Sequence, residues 1–62
     1  MTLELGAYET ICEIQPSLIT TIERLLNLGQ SPNQIANKVA KRDVFLAGLV
    51  EMAATHMKQK DE

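Results

Sequence analysis

Cys12 and His56 are the only candidates in this sequence for a nucleophile and its base. A thiol becomes a useful nucleophile when a neighbouring imidazole takes its proton. These two lie at opposite ends of a 62-residue chain, and no oxyanion donor can be assigned beside either. Glu9 and Glu13 stand one helical turn apart, a spacing that suits paired carboxylates. Such pairs do acid–base work only when burial or a neighbour separates their proton affinities. Here they share a solvated face with Glu4. The three glycines are isolated, so no phosphate-cradling loop is present, and one Cys with one His falls short of a zinc set. The expectation is a non-enzymatic protein with no cofactor and no bound metal. Cys12 then reads as a small buried hydrophobe in a reducing compartment. His56 reads as a rim residue on an apolar seam, close enough to a helix C-terminus to suit its dipole.

Something must hold these residues in place, and the chain is short for the task. A domain of this size exposes roughly 4,000 Å² when folded and hides about 60% of its unfolded surface. Burial then supplies on the order of 90 kcal/mol, and ordering the chain costs a similar amount, about 1.5 kcal/mol per residue. The balance is near zero, so a staple is expected. A lone cysteine gives no internal disulfide, which leaves association as the staple. Six Lys and Arg against eight Asp and Glu give a net charge of −2, which disfavours unspecific nucleic-acid binding. The N-terminus lacks a basic stretch followed by an apolar core, and the longest apolar run, Val44 to Val50, is too short to cross a bilayer. A cytoplasmic location with no membrane contact is the expectation.

Proline and glycine divide residues 1–62, read as one domain, into four segments. Pro16 disfavours helix at Gln15 and suits the first turn of a new one. Gly29 falls where a left-handed cap would end a helix. Ser31-Pro32-Asn33-Gln34 is a start signal, with Ser31 as cap and Gln34 completing a capping box. The spacing predicts helices over 6–14, 16–28, 32–41 and 43–57, with Asp43 capping the last. Residues 58–62 form a frayed tail, and a short extended start is expected around Leu3 and Leu5. Ala7, Tyr8, Ile11 and Cys12 share one face of the first helix. Leu18, Ile19, Ile22, Leu25 and Leu26 line the second, and Ile35, Ala36, Val39 and Ala40 the third. The fold class is all-α, a compact bundle of three to four short helices.

The fourth segment carries two apolar seams. Leu46, Val50, Ala53 and Met57 make one, and Phe45, Leu49, Met52 and His56 the other. A helix apolar over most of its girth is normally buried, and a monomer of this size has little with which to cover both seams. Phe45, Leu46, Leu49, Val50, Met52, Ala53 and Met57 are therefore the expected protein interface. Ala47 and Gly48 would admit a close neighbour.

From Gln34 to Leu49 the chain also resembles, in part, the helix-turn-helix family. Ser31, Gln34, Ile35, Ala36 and Val39 match its first helix, and Leu46 and Leu49 match inward positions of its second. The resemblance implies a DNA-binding regulator built on residues 31–57, with Lys38, Lys41 and Arg42 as candidate phosphate contacts. Ala40 stands where that family's turn has glycine, and Lys41 where it has an apolar residue. The recognition helix would present Asp43, Val44, Phe45, Ala47 and Gly48, none of which reads base edges well. The leading expectation is thus a regulatory adaptor that forms a homodimer and presents a helical surface to a protein partner, with the DNA-binding regulator as the alternative.

Overall fold

Four helices follow one another: α1 (Leu3–Ile14), α2 (Pro16–Asn27), α3 (Pro32–Val39) and α4 (Val44–Lys60). The computed structural model describes residues 3–60, without the side chain of residue 60. Among these residues there is no strand. The expected all-α bundle is the observed fold.

Each boundary has a local cause. α1 begins at Leu3, so the short extended start expected around Leu3 and Leu5 is replaced by helix. The alternation there was too short to outweigh the packing of the following turns. Pro16 occupies the first turn of α2 and leaves Gln15 as the single non-helical residue between α1 and α2. At the other end of α2, Gly29 adopts φ 93°. Its N–H donates to the Leu26 carbonyl and that of Gln30 to the Leu25 carbonyl. This is the paired Schellman arrangement that a glycine in left-handed geometry allows. The capping box of α3 is complete: Gln34 N–H donates to Ser31 Oγ at 3.3 Å, and Ser31 N–H donates to Gln34 Oε1 at 3.0 Å. Asp43 caps α4 by accepting from Leu46 N–H at 3.0 Å. α3 ends at Val39, two residues before the expected Lys41, and α4 runs three residues beyond Met57 to Lys60. The last two residues of the expected tail lie outside the described residues.

α4 is the hub. It packs most extensively on α1, then on α3, and also touches α2, while α1 and α3 do not meet among the described residues. Ile11, Ile22, Ile35 and Val50 are fully buried at the centre, one from each helix. Ala53 and Ala54 on α4 are equally sealed, and their small side chains permit the close approach of neighbouring helices. Sequence spacing alone had left Ala54 in neither seam. Gly48, in contrast, faces open space, so the close approach expected there is not made within the chain. The molecule measures 28 × 26 × 17 Å. Its thinness leaves many apolar side chains half-covered.

Candidate interaction surface

The two seams of α4 have different fates. Val50 and Ala53 are 0% exposed, and Leu46 and Met57 pack half-buried against the core cluster. That seam is closed by the chain's own helices. Val50 and Ala53 drop out of the expected interface, because no second molecule can reach them without opening the core. On the other seam Leu49 packs against the core from its edge, while Met52 is half-buried and lies outside the core cluster. Phe45 is 77% exposed, and Val44 beside it 89%. Val44 had no place in either seam. Its exposure follows from its position directly after the Asp43 cap, in the first turn of α4, before the neighbouring helices close over that helix. Phe45 and Met52, seven residues apart, fall on one line of the helix, and Gly48 leaves a dip between them.

Beside this apolar corner lies a polar one. Gln30, Gln34, Asn37, Lys38 and Lys41 line an open depression of about 470 Å³ along α3. Lys38, Lys41 and Arg42, the candidate phosphate contacts, are all exposed. Of the three amide residues, sequence had singled out only Gln34, and that for its place in the capping box. Gln34, Asn37 and Lys38 share one side of α3, a helical spacing that would have found that part of the lining.

Charge is segregated along the chain. No Lys or Arg precedes Arg24, whereas Glu4, Glu9 and Glu13 all lie on α1. From Leu25 to Arg42 there is no Asp or Glu. The acidic residues of α1 are therefore separated in sequence from the basic cluster of Lys38, Lys41 and Arg42 at and beyond the end of α3.

No family model, curated protein or solved structure matches the chain.

The residues first considered for catalysis are rearranged by folding. Cys12 is exposed, which corrects its reading as a buried hydrophobe. One position further round α1 than Ile11, it turns past the edge of the contact with α4. Tyr8 links Cys12 to His56 despite their distance in sequence. The Tyr8 ring sits 5.2 Å from the His56 ring, centroid to centroid, at 48°. The Tyr8 phenol is raised above its ordinary value of 10.0, first by the charge of Cys12 one turn away and by its hydrogen bond, then by burial and Glu23. Glu9 and Glu13 are exposed, as the solvated-face reading expected. No group of His, Cys, Asp and Glu among the described residues is placed to hold a metal ion. None of the helices described is long and apolar enough to cross a membrane.

Over the stretch that resembles a helix-turn-helix, α3 is followed by a connection over residues 40–43 and then by α4. The exposed start of α4 is Val44 and Phe45, and no Arg, Lys, Asn or Gln occurs on that helix before Lys58. The helix that would read bases offers an apolar tip instead.

Proposed function

We propose that this chain is a small non-enzymatic adaptor, cytoplasmic and regulatory, that self-associates as a homodimer through the α3–α4 corner and presents a helical surface to a protein partner. The observation that carries the reading is the exposed pair Val44–Phe45 at the start of α4, continued along the same side by Gly48 and Met52. An aromatic side chain left in water at the edge of a small domain is the kind of anchor that dominates protein–protein contacts. An interface of ordinary size hides about 800 Å² per partner. Against the 4350 Å² that the chain exposes, this would cover about a fifth of the surface. That is a large gain for a fold with so thin a core.

Sedimentation across a concentration series tests the reading. The unmodified chain should pass from monomer to dimer. Phe45→Ser with Met52→Gln should weaken the dimer by at least roughly tenfold, about 1.4 kcal/mol, while leaving helicity at low concentration intact. Val50→Thr with Met57→Gln should instead lower the melting temperature at every concentration, because that seam is internal. A clean monomer at high micromolar concentration would overturn the proposal. The DNA-binding alternative draws support from the exposed Lys38, Lys41 and Arg42, which suit phosphate contacts. A sequence-selective gel shift at physiological salt would promote it.

A further inference from the structure

We propose that α4 crosses the α4 of a second copy in antiparallel sense at Gly48, so that Phe45 of each molecule packs on Met52 of the other. This rests on the self-association proposed above and states how the two copies meet.

The position of Gly48 points to a close neighbour. A helix turns about 100° per residue. The sealed positions of α4, Val50, Ala53 and Ala54, therefore point to one side, and Val44, Gly48, Met52 and Thr55 fall on the other. Glycine inside a helix weakens it relative to alanine. Nothing within the chain requires glycine here. The residue lies inside α4 without the positive φ that Gly29 has, and a Cβ added to it would meet no atom within 4 Å. What the bare backbone offers at that place is room for another helix to come near.

The residues around Gly48 select a second copy as that helix. Phe45 stands three residues before it and Met52 four after, on one line of α4. Turned end for end about Gly48, this line keeps its form: a large apolar side chain, a gap, a large apolar side chain. A two-fold axis at the crossing brings Phe45 of one copy level with Met52 of the other, to within about 1.5 Å along the helix. Symmetry makes the same contact twice. A thioether against an aromatic ring is a favourable pairing. Polar groups offer little obstacle. The Thr55 hydroxyl already donates to the Glu51 carbonyl at 2.9 Å. Glu51 is the one charged residue from Val44 to Thr55, and the crossing keeps the two copies of it about 9 Å apart along the helix.

Gly48→Ala tests this, because a role in the dimer and a role in the single chain change different quantities. At concentrations where the chain is monomeric, its melting temperature should rise by roughly 5 °C, alanine being the better helix former. The same change should weaken the dimer at least roughly tenfold, because the added methyl props the crossing open. Cross-linking reads the direction. In a Cys12→Ser background, the Val44→Cys chain mixed with the Glu51→Cys chain should form a disulfide between the two at least roughly ten times as readily as either forms with itself. The antiparallel crossing sets position 44 beside position 51 of the other copy, within the short reach that a disulfide needs. A dimer that Gly48→Ala leaves at full strength, or Val44→Cys chains that cross-link to one another as readily as to Glu51→Cys chains, would overturn the crossing and leave self-association standing. A Gly48→Ala chain that melts lower as a monomer would assign the glycine to the fold and overturn it too. An unmodified chain that stays monomeric would overturn both proposals.

Discussion

Tyr8 draws its surroundings from both its own helix and a distant one. It lies on α1, yet its ring rests on His56 near the end of α4 and its phenol on Cys12 one turn away. An anion on Cys12 opposes a second anion on Tyr8, and this cause comes before burial in raising the phenol above 10.0. The folded chain therefore holds the Tyr8 proton more tightly than the unfolded chain does. The resulting stability is fully present below the ordinary phenol value and is lost as the pH climbs through the raised one. Since Tyr8 is the only tyrosine, its ionisation can be followed by tyrosinate absorbance without ambiguity. Cys12→Ser should bring the midpoint back down towards 10.0. An unchanged midpoint would assign the shift to burial and Glu23 instead.

At the scale of elements, α3 shows how much of a short helix is held by its start. It has eight residues, little more than two turns, and isolated helices of that length are marginal in water. Its persistence depends on the Ser31–Gln34 box and on the burial of Ile35 and Ala36. Ser31→Ala should lower the stability to chemical denaturation by about 1 kcal/mol, and a loss within error of zero would show that packing alone holds α3. These boundaries were legible in the sequence because caps, Pro16, Pro32 and Gly29 act within a few residues of themselves. The exposure of Cys12 and of Val44 was not legible. Both depend on where a neighbouring helix stops covering α1 or α4, and periodicity carries no information about the length of a neighbour. The split of α4 into a closed and a half-open seam was missed for the same reason. The sequence presented two seams of similar apolar character, and only the arrangement of α1, α2 and α3 around α4 tells them apart. The groove on α3 lay partly in view, through Lys38 and Lys41, but its amide walls became visible only once α3 had a surface.

For the whole molecule the governing fact is that α4 stands between α1 and α3, which do not meet among the described residues. The first helix finds its main packing partner in the last. Residues 1–29 alone would leave Ile11 and Ile22 without Val50 and Ala54 to close over them, and residues 30–62 alone would leave Ile35 and Val50 equally bare. Each piece, prepared separately, should show little helix by circular dichroism. Mixed, the two should regain the helical spectrum and melt as one, and a fragment that folds alone would contradict the role given to α4. The same arrangement constrains the order of events during synthesis. A helix that has left the ribosome gains little until its partner follows, so α1 waits, unburied, while α2 and α3 are made. The first helix therefore reaches its main packing partner only once α4 has been made, however early its own turns have emerged.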